Sequence, residues 1–499
     1  MMTNIECTFI RRLSRIPSHG LGLSVDVYSP NLFDLLEALA SDGLHCGYLE
    51  IFQASRSALA DVRRRVPGEL LAYHAEGLWL TQPEWGADNH VLDALSETAS
   101  HLATLGSYWI NHECATKQMA GCSFGTYVPA LFTATSADVT AVNAARLQDS
   151  LDASGQFAAG REPLVLLEIP PLTYFAFGDI PVTEFFTRIA AQAPCGFVLD
   201  LGHVWTYYRY SGDWRRRSVT AFLQEFLDTF PLERVVQIHM AGLAVHESAT
   251  RDDRSEPPRA ENAPFWVDAH HAPIPPVLFD MLDQVLAHPR LGALKAVALE
   301  VDTKAIPQIV QELHQVQQRF GERMRSVCEW VHTAPASGGR HEDSTSDSTR
   351  IEPTADAIDA LRRQYERYAR VVTRRTGAAA TDLPSRWLEP GNLDVYRQTY
   401  LPYEILRWGG DVVDMFTETC RQLVEAGIDV SGFVDFWFRE PHRLTQPYDF
   451  FLMKIDRFPR FISEVLPAAL PHARREAQVL RDAYRIACED VVQPEGARS

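Results

Sequence analysis

Short apolar runs alternate with amphipathic segments along the first 330 residues. Eight apolar runs are bounded by turn residues: Leu21–Val27, Cys46–Phe52, Leu70–Glu76, Tyr108–Cys114, Leu164–Ile169, Phe197–Leu201, Val235–Met240 and Ala296–Val301. Helical spacing fills the segments between them, as in Asn31–Ser41, Val91–Thr104, Val182–Ala193, Val219–Phe230 and Pro275–Ala287. Near-continuous apolar strands that alternate with helices are typical of a parallel sheet covered by helices. The pattern predicts an α/β fold, a (β/α)8 TIM-like barrel over residues 1–330, with an open doubly wound sheet as the alternative.

The pattern changes after residue 330. Residues 331–354 contain almost no large apolar side chain and are rich in Ser, Gly and Asp, which predicts a flexible linker. Residues 355–499 then show helical periodicity, in Ala355–Arg374, Asp411–Ala426, Val430–Phe438 and Ala473–Cys488, and are expected to form a mostly α-helical C-terminal domain. A charged, proline-containing stretch, His246–Asn262, is expected to be a long loop within the barrel.

Composition and charge narrow the class of protein. Hydrophobic residues make up 46% of the 499 and charged residues 22%, as in folded globular proteins. The 47 basic residues against 65 acidic ones give a net charge of −18, which disfavours a nucleic-acid partner. No secretory signal and no long apolar window is visible, so we expect a cytoplasmic protein without a membrane partner. The eight cysteines form no C-x-x-C pair and are expected to be reduced.

Acidic or histidine side chains accompany the end of every predicted strand. In chain order they are Asp26, Glu50, His74, His112, Glu168, Asp200, His239 and Glu300, with His203 three residues after Asp200, and Asp268 and His270 on the connection after His239. The carboxyl ends of barrel strands meet at one mouth. A single such residue is more often a core histidine or a paired carboxylate, but this number of buried charges requires compensation by cations. Mixed imidazole and carboxylate donors without thiolate suit Fe, Mn, Zn or Co.

Two or three metal ions are therefore predicted at this mouth, and Asp26 and Glu50, which have no companion nearby in the sequence, are expected to support either the ligands or the fold rather than to bind metal. Other motifs are incomplete. Gly121-Cys122-Ser123-Phe124-Gly125 matches the G-x-S-x-G pattern, but no apolar strand precedes it in Ala115–Ala120, so a serine hydrolase is not expected. His112-Glu113 does not continue as H-E-x-x-H.

Taken in order, the strand-end motifs resemble those of the multinuclear non-heme iron-dependent oxidative enzymes, the family that includes the methanobactin biosynthesis oxidase. The resemblance covers roughly Gly20 to Leu313. The matching pieces are Gly20-Leu21-Gly22-Leu23, Leu49-Glu50-Ile51, His74, Asn111-His112, Leu167-Glu168, Leu199-Asp200, Ile238-His239-Met240-Ala241-Gly242, Val267-Asp268-Ala269-His270 and Leu299-Glu300-Val301-Asp302.

The resemblance implies a TIM-like barrel that holds two or three irons in mixed Fe(II)/Fe(III) states. The ligands that it implies are His74, His112, Glu168, Asp200, His239, Asp268, His270 and Glu300. His203 stands where the family commonly has Asn, and we include it as a ninth ligand. The long insertion between His239 and Asp268 is a second departure from the family pattern.

The implied reaction is oxidation by O2 of a residue, often cysteine, in a ribosomally made precursor peptide. Such enzymes usually work with a separate protein that engages the leader of the precursor, and the C-terminal domain is a candidate for that partner fused to the barrel. Its aromatic stretch Phe433–Phe438, with Tyr448, Phe450 and Phe451, is either an apolar groove for the peptide or plain core.

Two other functions stay open on the sequence alone. Metal-dependent hydrolases and isomerases with xylose-isomerase-like barrels share the Asp200-x-x-His203 pattern, although their endonuclease branch fits poorly with a charge of −18. An inactive, peptide-binding barrel is the third possibility, and it predicts gaps among the ligands.

Overall fold

A computed structural model describes residues 3–85, 89–246, 265–330, 352–373, 383, 391–442 and 449–490. The predicted linker, apart from its last three residues, and nearly all of the predicted loop after His246 lie outside these ranges. The chain forms two compact units. The first comprises Met1–Ala115, Pro129–Leu361 and Pro384–Glu389, and the second comprises Thr116–Val128, Arg362–Leu383 and Pro390–Ser499.

The first unit contains the predicted barrel. In chain order the strands of the protein are β1 (Gly20–Val25), β2 (Tyr48–Phe52), β3 (Leu70–His74), β4 (Trp109–Glu113), β5 (Ala115–Met119), β6 (Cys122–Pro129), β7 (Leu164–Glu168), β8 (Gly196–Asp200), β9 (Val235–Met240), β10 (Leu243–His246), β11 (Phe265–Asp268) and β12 (Ala296–Glu300). Eight of them, β1–β4, β7–β9 and β12, form a closed parallel barrel in which β12 pairs with β1. The predicted α/β barrel is confirmed, and the open sheet is wrong.

One helix precedes the first barrel strand, and the other helices of this unit follow strands or lie in the connections between them. In chain order the helices are α1 (Asn4–Leu13), α2 (Leu32–Ser41), α3 (Arg56–Arg65), α4 (Asn89–Leu105), α5 (Ala134–Ala153), α6 (Val182–Gln192), α7 (Leu201–Tyr210), α8 (Val219–Thr229), α9 (Pro276–Leu286) and α10 (Ile306–Trp330). Side-chain caps begin several of them: the Asn31 side chain accepts from Phe33 N and Asp34 N, and Ser55 Oγ accepts from Ala58 N. Helix α7 begins directly after β8 without a loop.

An apolar cluster fills the amino end of the barrel. Tyr48, Trp109 and Leu164 are the first residues of their strands, and all are buried in this cluster together with Phe9 and Leu13 of α1. The polar strand-end residues lie at the opposite, carboxyl end of the parallel barrel.

Two additional strand pairs extend from the barrel connections. Strands β10 and β11 are antiparallel, and Leu243 pairs with Asp268, so the chain after the long connection returns to the end of β9. Strands β5 and β6 are joined by Ala120 and Gly121, whose φ angles of 49° and 74° fit a primed hairpin turn. Ala115–Met119 does form a strand, but its polar middle is only partly buried and belongs to a hairpin rather than to an apolar strand of the barrel. Ser123 lies within β6 and not on a strand-to-helix turn, unlike the serine of a hydrolase.

The second unit is mostly helical, as predicted. Its helices are α11 (Ala355–Val372), α12 (Asn392–Val395), a π-helical turn (Tyr396–Tyr400), α13 (Leu401–Arg407), α14 (Val412–Met415), α15 (Thr417–Glu425), α16 (Gly432–Trp437), α17 (Asp449–Val465) and α18 (Leu470–Asp490), the first of them shared between the two units. The segment predicted as one helix, Asp411–Ala426, breaks at Phe416, whose buried ring packs 4.5 Å from that of Phe458. Within the described ranges, no helix is long and apolar enough to span a membrane.

The aromatic stretch predicted as a possible peptide groove is core. Phe433 and Trp437 are fully buried, Phe450 is nearly so, and Tyr448 lies outside the described residues. The β5–β6 hairpin belongs to the same unit: Trp437 Nε1 donates a hydrogen bond of 2.9 Å to Ser123 O. A segment that the sequence places within the barrel region therefore packs with the C-terminal helices.

Candidate metal centre

Four strand-end side chains meet at the carboxyl end of the barrel. Glu168 ends β7, Asp200 ends β8, His239 lies near the end of β9, and Glu300 ends β12. Each offers one possible ligand atom, and these atoms all lie within 4.8 Å of one another. The four side chains are at most 3% exposed. The convergence expected from the strand pattern is thus observed for these residues.

Glu168 links histidines on two sides of the barrel. Its Oε1 lies 3.1 Å from His239 Nδ1, and its Oε2 lies 3.4 Å from His74 Nε2. Asn111 Nδ2 donates a hydrogen bond of 2.6 Å to the same Oε2 and so fixes the carboxylate. The other neighbour of His239 Nδ1 is Glu300 Oε1, at 3.3 Å.

A second group continues from Glu300 to the connection after β11. His270 Nε2 lies 3.4 Å from Glu300 Oε2 and 3.2 Å from Asp268 Oδ2. The same Asp268 oxygen lies 3.3 Å from His203 Nε2, which is in turn 3.9 Å from Asp200 Oδ1. Eight of the nine predicted ligands thereby form one continuous set of contacts.

His112 is the exception. Its buried ring lies edge-on to Trp79, with the ring centres 6.2 Å apart. Among the described carboxylates, none lies within 4.0 Å of its ring nitrogens. Burial lowers the pKa of His112 to about 4, and the charge of nearby His74 adds to the decrease. His112 therefore borders the group on the side of His74.

Sequence comparison assigns the barrel to a family. Residues 45–320 match the model of the RiPP precursor modification enzyme family MbnB/TglH/ChrH, whose name denotes ribosomally synthesised and post-translationally modified peptides. The chain belongs to this family. The matched range contains all nine predicted ligands, and the resemblance inferred from the strand-end motifs is confirmed.

Other similarities are weaker. A UPF0276 protein from Rhizorhabdus wittichii is 24% identical over 317 residues, which are 63% of this chain and 95% of that protein. A UPF0276 protein from Paraburkholderia phytofirmans is 24% identical over 282 residues, 54% of this chain and 78% of that protein. Endonuclease IV from Thermus thermophilus is similar with 18% identity and a TM-score of 0.36, over 61% of this chain and 99% of that one.

In this MbnB/TglH/ChrH family member, two acids join the group that the sequence did not single out as ligands. Glu113 is buried at the end of β4, and its Oε1 lies 3.9 Å from His203 Nδ1. Asp302 forms a short contact with His270 Nδ1. Glu113 follows Asn111 by two residues, and Asp302 follows Glu300 by two. The two-residue period of a strand would have placed Glu113 on the same face as Asn111, whereas Asp302 lies beyond the end of β12.

Charged side chains are concentrated at the barrel mouth of this protein. Burial alone would lower the pKa of His74, but the hydrogen bond and charge of Glu168 outweigh it and raise the pKa to about 9. Burial raises the pKa of Asp200 to about 7, and neighbouring acids add to the rise. Asp200 Oδ2 and Asp268 Oδ1 are buried and make no hydrogen bond within the described part of the chain. Buried carboxylate oxygens without donors fit a cation, so the residues present suit the metal that the family resemblance implies.

Proposed function

We propose that the protein uses two or three irons and O2 to oxidise a residue, cysteine in particular, in a ribosomally made precursor peptide. The observation that carries the proposal is the buried group of histidines and carboxylates at the barrel mouth of a chain from a precursor-modifying family. Its donor set contains imidazole and carboxylate without thiolate, which suits non-heme iron.

The contacts define which residues would hold the ions. Glu168, His239 and Glu300 surround one position, and His203, Asp268 and His270 surround a second. His74, with His112 beside it, provides a third on the far side of Glu168. Asp200 lies between the first two. When bound, ferrous iron supplies electrons to O2, and a neighbouring ferric ion acts as a Lewis acid for a substrate thiolate.

Other side chains of the mouth prepare it for this chemistry. Phe52 at the end of β2 packs beside two ligands, with its ring centre 4.8 Å from that of His74 and 6.3 Å from that of His270. Burial raises the pKa of Glu113 to about 8, and its Oε1 lies 3.9 Å from His203 Nδ1. This carboxyl group is therefore the candidate to give a proton to, or take one from, a reacting group.

We further propose that the second unit recognises the precursor peptide. Its buried aromatic stretch is not the contact surface. Three large apolar side chains of the segment from α13 to α14 are about half exposed instead: Tyr403, Trp408 and Val413. The amphipathic ring of Trp408 suits binding of an extended peptide.

The test combines metal content with peptide chemistry. The full chain, purified from iron-replete cells, is analysed for metals and incubated with short cysteine-containing peptides encoded beside its gene, with and without O2. We expect two or three irons per chain and an O2-dependent mass change on a cysteine-containing peptide. A chain that contains a single zinc, or that acts equally well without O2, would instead support the hydrolase or isomerase alternative. A chain without metal and without activity would support the inactive barrel.

A further inference from the structure

We propose that Glu50 is a positioning residue that sets the orientation and the tautomer of His239 for metal binding. The inference rests on the metal centre of the proposed function. It goes beyond that centre because Glu50 is not one of the proposed ligands. Glu50 faces Nε2 of His239, whereas the other ring nitrogen, Nδ1, faces the proposed ligands Glu168 and Glu300.

Glu50 is fully buried inside the barrel and is surrounded by donors. Its Oε1 accepts a hydrogen bond of 2.9 Å from Ser24 Oγ and lies 2.9 Å from His239 Nε2. Its Oε2 accepts hydrogen bonds from Gln237 Nε2 at 3.0 Å and from Trp109 Nε1 at 3.5 Å. Because hydrogen bonds from Ser24, Gln237 and Trp109 and the contact with His239 all reach its two oxygens, the side chain is held as an acceptor, that is, as a carboxylate.

This arrangement fixes both ends of the His239 ring. Nε2 faces Glu50, while Nδ1 faces Glu168 at 3.1 Å and Glu300 at 3.3 Å. When a cation lies beside Glu168 and Glu300, Nδ1 has to present its lone pair to that cation, and the ring hydrogen is then on Nε2, next to the Glu50 carboxylate. A carboxylate behind a ligating imidazole also makes that imidazole a stronger donor.

The partners of Glu50 are themselves held in place. Gln237 lies two residues before His239 on β9, so both side chains point to the barrel interior. The same Nε2 group of Gln237 also donates to Tyr48 OH at 2.9 Å. Ser24, Gln237 and Trp109 already provide three donors for the carboxylate without His239. Glu50 therefore does not need the contact with His239 to satisfy its oxygens. The contact matters instead for the orientation of the His239 ring.

The substitution Glu50→Gln makes a specific change. Gln237 and Trp109 only donate to this site, so the new amide turns its oxygen toward them and its NH2 group toward Ser24 and His239. His239 Nε2 then has to accept a hydrogen, which moves the ring hydrogen to Nδ1 and blocks the metal-binding atom. Ser24→Ala is the matched control, because it removes one donor to Glu50 but leaves the carboxylate facing His239.

The experiment measures Zn2+ affinity of the full chain by chelator competition, and the tautomer of His239 by 15N NMR of the Zn2+-treated protein, with the resonance assigned through His239→Asn. We expect Glu50→Gln to weaken Zn2+ binding about 10–100-fold and to move the hydrogen to Nδ1, whereas Ser24→Ala changes the affinity less than about threefold. Unchanged affinity with the hydrogen still on Nε2, or equal losses in the two variants, would overturn the role of Glu50.

Glu50→Asp keeps the negative charge but shortens the side chain by one methylene group, so the carboxylate lies farther from His239. It is the second variant to measure if Glu50→Gln does not fold. It is also expected to weaken Zn2+ binding, and unchanged affinity there would likewise count against the proposal. A wild-type chain that binds no Zn2+ would overturn the metal centre itself. Failure to oxidise a peptide would leave the Zn2+ result standing.

Discussion

The Nδ1 atom of His203 lies 2.6 Å from the main-chain carbonyl oxygen of Ile169. Because a carbonyl oxygen only accepts, Nδ1 carries a ring hydrogen, and Nε2, 3.3 Å from Asp268 Oδ2, is the nitrogen that would face a cation held there. A ligating histidine whose far nitrogen is fixed by an acceptor is the usual arrangement in metal sites. The contacts of His203, the residue that departs from the family pattern, therefore suit a ligand, and its role as one stays a prediction.

Replacement of His203 tests this orientation. We expect His203→Ala to lose about one metal ion per chain, because the imidazole nitrogen disappears from the position near Asp268 and His270. His203→Asn, which restores the residue common in the family, is expected to keep the ion with a changed affinity. Elemental analysis of both variants beside the wild type measures the difference, and full metal content in His203→Ala would remove His203 from the ligand set.

Glu168 and His239 are expected to be essential for activity. We predict that Glu168→Gln and His239→Ala each abolish peptide oxidation through loss of metal, while the apolar core of the barrel keeps its fold. Circular dichroism and metal analysis separate the two causes. Retained activity with unchanged iron content in either variant would show that the residue is not a ligand.

The barrel was predictable because its strands are short apolar runs, a signal that depends on local sequence. The hairpin at Ala115–Met119 was not, because Thr116, Lys117 and Gln118 interrupt the apolar pattern and the strand is stabilised by packing with helices about 300 residues later. The break at Phe416 has the same origin, since the contact of its ring with Phe458 outweighs the local helical pattern.

The candidate site was predictable where its residues end apolar strands. Glu168, Asp200, His239 and Glu300 were found in this way, and the structure brings them together. The roles of Glu113 and Asp302 were missed, because each stands next to or near a more conspicuous candidate and its contact comes from a distant segment. Which histidine nitrogen faces the centre also depends on three-dimensional contacts that no sequence pattern contains.

Asp302 is expected to support His270 rather than to bind metal. It contacts Nδ1 of that histidine, on the side away from Asp268 and Glu300, and its charge together with theirs raises the pKa of His270 well above its usual value. We predict that Asp302→Asn weakens metal binding about tenfold or more while the protein remains folded. Chelator competition measures the change. An affinity equal to that of the wild type would show that His270 is oriented without Asp302.

His19 gives the metal-free protein a specific pH dependence. Burial lowers its pKa to about 4, and its Nδ1 lies 2.9 Å from Pro17 O. Because the unfolded chain takes up this proton near pH 6.5, the contribution of neutral His19 is complete above that pH and is lost as the pH falls toward 4, by ~3 kcal/mol. Urea unfolding between pH 4 and 7 should show a smaller decrease in His19→Asn than in the wild type. Identical decreases would exclude His19 as a source.

Packing of the hairpin with the helices of its own unit makes Gly125 sensitive to any side chain. A Cβ atom there would lie 2.8 Å from Glu404 Cβ and 3.2 Å from Trp408 Cβ, whereas one at Gly68 would have no atom within 4 Å. We therefore expect Gly125→Ala to destabilise the protein by about 1–3 kcal/mol, as in other overpacked interiors, and Gly68→Ala to change stability by less than about 0.5 kcal/mol. Thermal unfolding of the two variants measures the difference. Equal melting temperatures would show that the helices do not hold the hairpin at this point, and that Thr116–Val128 is only an extension of the barrel loop.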